Sequence, residues 1–157
     1  MVVGFTGHQD IPEEALPLIG ADLERVLINC RNEPTGLSSL AVGADQLFGE
    51  TVLQLSWKLN VVIPCLHYDT TFTDEETLNR FRSLLAKANS VETLRHPLPT
   101  EEAYLDAGRH IVDLSQALVA VWDGRKAKGK GGTADIVRYA RERNVDVTVV
   151  WPPGLVR

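Results

Sequence analysis

The sequence predicts an α/β domain of Rossmann-like type: a doubly wound, mostly parallel sheet of about six strands with helices on both faces. Three observations lead there. Short β-branched runs alternate with longer amphipathic stretches along the whole chain, the pattern of repeated β-α units. The runs Val61-Val62-Ile63 and Val147-Thr148-Val149-Val150 carry apolar residues on both faces, as central parallel strands do. Each glycine signal falls just after a strand, where open α/β sheets bind ligands. With 157 residues, 44% hydrophobic and 24% charged, the chain suits one globular domain over 1–157.

The elements follow in order. A strand at 2–6 leads through Gly7 to Asp10, which with Glu13 three residues on has capping-box spacing for a helix over 11–30. A strand at 37–42 ends at Gly43, and a helix over 44–59 follows with Leu47, Val52, Leu55 and Leu59 at near-helical spacing. The strand at 61–66 precedes a helix over 74–88. Ser90-Val91-Glu92-Thr93-Leu94-Arg95 alternates around a strand at 91–94, which places it near an edge. Thr100, after Pro99, is the expected N-cap of a helix over 101–116 with Ala103, Ala107, Ile111 and Leu114 as its core stripe. A strand at 118–122, a helix over 134–143 and a strand at 145–151 complete the pattern. Right-handed crossovers then give the doubly wound sheet. There is no repeat, low-complexity segment or domain linker; only 124–131 reads as a mobile stretch.

Composition narrows the partners. A net charge of -5 gives no basic footprint, so general duplex nucleic-acid binding is not expected; the nucleotide-type small molecule that is expected instead is read from the glycine loops below. Cys30 and Cys65 stand apart, with no C-x-x-C and no His cluster, so neither a disulfide framework nor a zinc site is indicated, and no metal or cofactor is read. Met1-Val2-Val3-Gly4 runs straight into a strand without signal-peptide character, and no apolar run reaches membrane-spanning length. A cytoplasmic protein with no membrane partner is the expectation.

Three loops carry candidate chemistry. In Gly4-Phe5-Thr6-Gly7-His8-Gln9-Asp10, carboxylates already occupy the following helix start, so Thr6, Gly7 and His8 are expected to touch a base, sugar or carbonyl rather than a phosphate. His8 is otherwise a solvated turn histidine. In Val42-Gly43-Ala44-Asp45, the acidic residue is either a favourable helix-start charge or an acceptor for sugar hydroxyls. In the third, Asp123 and Gly124 lead through Arg125, Lys126, Lys128, Gly129 and Lys130 to Gly131-Gly132-Thr133. There the backbone N-H groups of Gly132, Thr133 and Ala134 form a phosphate cradle at a helix amino end. The alternative is a solvated lysine loop; the Walker A order is absent. Arg109 either points to the site or pairs with a surface carboxylate. His67-Tyr68-Asp69 offers a ring and polar contacts. Trp122 is placed to stack on a ligand, whereas Trp57 and Trp151 read as packing residues.

With these loops in order, the chain resembles the SLOG superfamily, which includes the LOG phosphoribohydrolases and the Rossmann-like domain of DNA-processing protein A. The resemblance rests on Gly4-Phe5-Thr6-Gly7-His8, Val42-Gly43-Ala44-Asp45, Arg109-His110-Ile111-Val112 before Ala117-Leu118-Val119-Ala120-Val121-Trp122-Asp123-Gly124, and Gly131-Gly132-Thr133-Ala134. It implies a nucleotide-binding or ligand-sensing domain, often a homodimer. The LOG pattern P-G-G-x-G-T-x-x-E ends on a glutamate that serves N-glycosidic cleavage; aligned on Gly132-Thr133, that position holds Ile136. Isoleucine cannot act as a general base, so the leading reading is binding. Hydrolysis or transfer at the N-glycosidic bond of a nucleoside monophosphate is the alternative, with Asp45, Asp123 or Asp135 as its candidate carboxylates. A partner-binding domain with a vestigial site is the third.

Overall fold

The chain alternates strand and helix as β1 (Val2–Gly7), α1 (Leu16–Leu27), β2 (Thr35–Ser38), α2 (Ala44–Gln54), β3 (Lys58–Cys65), α3 (Glu75–Ala86), β4 (Ser90–His96), α4 (Glu101–Leu114), β5 (Ala117–Val121), α5 (Thr133–Glu142) and β6 (Asp146–Val150). The structure is a computed structural model that describes residues 1–30, 33–126 and 131–157. All neighbouring strands pair in parallel, in the order β4-β3-β2-β1-β5-β6. The order reverses between β1 and β5, the place where open α/β sheets leave a crevice at their carboxyl edge.

β1 shows how the two faces are built. Phe5 stacks on Phe48 of α2, ring centroids 4.5 Å apart, while a Cβ at Gly4 would run into Ile111 and Ser115 at the end of α4. Successive residues of the strand thus face opposite helical layers. The larger core is lined by Ile19, Leu23 and Leu27 of α1, Phe48 and Val52 of α2, and Phe81 and Leu84 of α3. On the other face α4 packs through Ala107 and Ile111, and α5 through Ile136 and Ala140.

Several boundaries differ from the sequence pattern for local reasons. α1 begins at Leu16, after a 3-10 turn at Glu13–Ala15, and no side chain caps either segment. Asp10 does not cap the helix: its carboxylate is held by Arg157. α2 stops at Gln54 because Ser56 takes a left-handed backbone (φ 59°) that turns the chain into β3. Its buried face is Ala44, Phe48 and Val52, with Leu47 and Leu55 half-buried and Leu59 already in β3. β2 ends at Ser38, two residues before left-handed Leu40 (φ 54°). Thr100 does cap α4, accepting from Ala103 N at 3.2 Å, although Leu114 is exposed. β4 lies at an edge, as its alternation predicts; β6 lies at the other edge rather than at the centre, with Thr148 and Val149 exposed. Among the described residues no helix is long and apolar enough to cross a membrane.

Candidate functional site

The carboxyl ends of β1, β2 and β3, with α4 and the amino end of α5 opposite, enclose a cleft of about 350 Å³. It gathers Thr6, Gly7 and His8 from the first loop, Asp45 from the second, and Gly131, Gly132 and Thr133 from the third.

One end of the cleft is the start of α5. Gly132 occupies the N-cap position without any side-chain cap. Gly131 has φ 79°, and a Cβ there would stand 2.6 Å from the backbone N of Leu105, so the close approach of α5 to α4 requires glycine. Its N-H donates to Asp135 Oδ2 at 3.2 Å. The N-H groups of Gly132, Thr133 and Ala134 have no acceptor among the described residues, which leaves a helix amino end directed at the cleft.

The middle is a charge network between the first and third loops. His8 Nε2 accepts from Asp123 N at 3.1 Å and lies 3.2 Å from Asp123 Oδ1, with its ring edge-on to Trp151. Burial lowers the His8 pKa and the Arg157 cation adds to this, against the opposing pull of Asp123. His8 is therefore a buried pin between β1 and β5, neither solvated nor free at Nε2. Arg157 reaches in with Nε 3.0 Å from Asp123 Oδ2 and Nη1 2.6 Å from Asp10 Oδ1. Burial works against Asp123 ionisation, but Arg125 N, Arg157 and His8 together hold its carboxyl below the usual range.

At the inner end Asp45 is buried, its Oδ2 accepting from Ser38 Oγ at 3.1 Å and Ala41 N at 3.4 Å. Burial pushes its pKa up to about 6, against the pull of those donors. Beside it stand Tyr68, 4% exposed, and half-buried Tyr104. Gly43 (φ 89°) serves the crossing of the first two loops, since a Cβ there would meet Gln9 O at 2.6 Å; Ala44 N then donates to His8 O at 3.2 Å.

Arg109, Trp122, Gly124 and Asp135 are not part of the cleft lining, whereas Ile136 is. Arg109 sits over the Tyr139 ring at 5.4 Å. Trp122 donates from Nε1 to Arg125 O and carries Arg141 over its ring at 5.9 Å. Gly124 turns with φ 83° in open space. Asp135 is engaged by Gly131 N and Arg138. Ile136, at the position of the LOG glutamate, is 2% exposed and fills the space that a Gly108 side chain would take. Lys128, Gly129 and Lys130 lie outside the described residues. Tyr104 and Arg157 line the cleft without any sequence signal: one reads as a helix residue before an apolar stripe, the other as an isolated cation.

No family model and no curated protein matches the chain. Solved structures do. DNA processing protein A from Helicobacter pylori, described for its single-stranded DNA binding mode, superposes with a TM-score of 0.70 at 15% identity, over 98% of this chain and 67% of that one. DNA processing protein A from Streptococcus pneumoniae gives 0.68 at 18% identity over 98% of this chain; the chain spans about half (51%) of that protein. TM1055, a structural-genomics target, gives 0.60 at 13% identity, over 93% of this chain and 71% of that one. The fold is thus the Rossmann-like one that the loop motifs imply. The partner expectation needs correction. A nucleotide-type small molecule, with general duplex nucleic-acid binding set aside on net charge, does not stand beside a like-folded protein that binds single-stranded DNA. Net charge is an average: the stretch 109–143 holds eight of the sixteen Lys and Arg residues but only four of the twenty-one Asp and Glu.

Proposed function

We propose that this chain is a single-stranded nucleic-acid-binding domain that seats one nucleotide unit of the strand in the cleft. The phosphate of that unit sits on the N-H groups of Gly132, Thr133 and Ala134, and its sugar faces Thr6 and Gly7. The observation that carries the reading is the uncapped amino end of α5, held open by Gly131 and Gly132 at the reversal point of the sheet. The excess of Lys and Arg over Asp and Glu in the stretch 109–143 supplies the attraction that the acidic remainder lacks. The likeness to the Helicobacter pylori protein supports the choice of partner.

The test is fluorescence anisotropy at low salt with a labelled single-stranded oligonucleotide, its duplex and a mononucleotide competitor. The strand is expected to bind, and to bind more tightly than the duplex. Gly132→Asp should weaken it at least about tenfold, or 1.4 kcal/mol. Gly132 has N-cap backbone angles (φ -70°, ψ 168°), where aspartate is well tolerated, so the variant places a carboxylate in the cradle without unfolding the helix. Strand binding that survives Gly132→Asp removes the cradle. A mononucleotide that competes as well as the strand removes the strand as partner.

A second reading, cleavage of an N-glycosidic bond, is favoured by one observation. Of Asp45, Asp123 and Asp135, Asp45 lies in the cleft with its pKa raised to about 6, in the range of a general acid or base. Steady release of free base from an oligonucleotide would establish it; its absence leaves Asp45 a structural acid.

A further inference from the structure

The geometry points to a nucleobase-reading subsite at the inner end of the cleft, with the Tyr104 ring as the stacking face and the Tyr68 hydroxyl as the hydrogen-bonding group. This rests on the proposed seating of a nucleotide unit and adds what the base end recognises.

Tyr68 carries the argument. It opens the turn at Tyr68–Thr71 after β3, and its ring is wedged edge-on against Phe72 and Phe81, each at 5.5 Å, and Tyr104 at 6.5 Å. These contacts fix the ring in the lining of the cleft. The residue is 4% exposed and its hydroxyl makes no hydrogen bond among the described residues; since no side-chain polar atom among them is both sealed from solvent and unpaired, that hydroxyl is open, and Tyr68 lines the cleft. A hydroxyl on a ring held by packing, with no protein partner and open to the cleft, is left to bond with what enters it. Asp45, immediately behind, is committed to Ser38 Oγ and Ala41 N. Its charge and the burial of the ring both keep the phenol protonated, with burial the larger effect.

Tyr104 links the two ends. The backbone at Tyr104 and Leu105 is the surface against which Gly131 packs, with a Gly131 Cβ falling 3.0 Å from Tyr104 C. The ring therefore begins beside the cradle and ends near Tyr68. A nucleotide anchored at Gly132 lays its base along that ring and brings the base's polar edge to the hydroxyl. A tyrosine hydroxyl both donates and accepts, so it suits an edge that pairs a ring nitrogen or carbonyl with an N-H. The ligand class is a nucleobase with such an edge; an abasic sugar or an apolar isostere leaves the hydroxyl unpaired and is rejected.

Anisotropy with two strands of equal length and charge, one base-bearing and one abasic, tests this. The wild type is expected to prefer the base-bearing strand. Tyr68→Phe, which keeps the ring and removes only the oxygen, should reduce the affinity ratio about fivefold. Tyr104→Ala should reduce it about tenfold or more through lost stacking. If Tyr68→Phe leaves the ratio at the wild-type value while Gly132→Asp still abolishes binding, the subsite is overturned and the cradle stands. If the wild type binds neither strand, both fall. Should Tyr104→Ala prove unstable, the isosteric Tyr68→Phe decides alone.

Discussion

Asp45 is the residue at which local chemistry and stability are most tightly joined. Its carboxyl is buried among Ser38, Ala41 and the ring of Tyr68, and its pKa stands at about 6 against an ordinary 3.8. Because the folded pKa is the higher, the folded state binds the extra proton between those values, and stability falls as pH rises from about 4 to about 6. Above that range the buried charge costs the fold about 3 kcal/mol at most. Asp45→Asn keeps an oxygen for the Ser38 and Ala41 donors and removes the charge. Urea denaturation should find the variant more stable at pH 7.5, with the difference vanishing near pH 4. His8 works in the other direction, since its lowered pKa makes acid destabilising below its ordinary 6.5, but it is common to both proteins and cancels in the difference. A difference that does not change with pH would show that Asp45 is not the titrating group. The sequence marks Asp45 as a first-turn carboxylate; it does not show that left-handed Leu40 folds the β2-α2 loop over it.

Among the elements, the crossing of α4 and α5 decides what the cleft can be. Gly108 has no side chain because Ile136 occupies that space, with a Gly108 Cβ falling 2.7 Å from Ile136 Cγ1. Gly108→Ala gains about 1 kcal/mol of helix propensity but overpacks the crossing by about 2 kcal/mol. Combining it with Ile136→Ala should relieve the clash. A double-mutant cycle is therefore expected to give a favourable coupling of about 1 kcal/mol or more, and purely additive effects would mean that the helices do not interlock there. The same crossing explains why a glutamate at 136 is not a minor change: it would bury a carboxylate against α4. Elements with strong local signals were legible from sequence, as with α4 and its Thr100 cap. Those set by neighbours were not. β6 carries the apolar run of a central strand yet lies at an edge, because period alone does not count the strands beside it. α1 is shortened by a 3-10 start around Pro12 and Pro17 that a helical period hides. The three loops were legible as strand-end signals, but Arg157 and Tyr104 reach the cleft only through folding.

At the scale of the whole molecule, six parallel strands bring every carboxyl end to one edge, so loops far apart in sequence share one cleft. The same topology sorts charge. The segment after β5 carries Arg125 and Lys126, both exposed, at the carboxyl edge of the sheet, while Lys58 begins β3 at the opposite edge. If a strand is drawn to the carboxyl edge, only the first two take part in counterion release. For single strands each phosphate contact contributes about -0.7 to the slope of log K against log salt. Replacing Arg125 and Lys126 together with alanine should therefore make the slope shallower by about 1.4 and weaken binding at low salt. Lys58→Ala removes a cation of the same formal charge and should leave the slope where it was. Titrations across a salt series read both outcomes. Equal effects from the two edges would mean that the strand follows net charge alone, and an unchanged slope in the double variant would place its path away from the cleft.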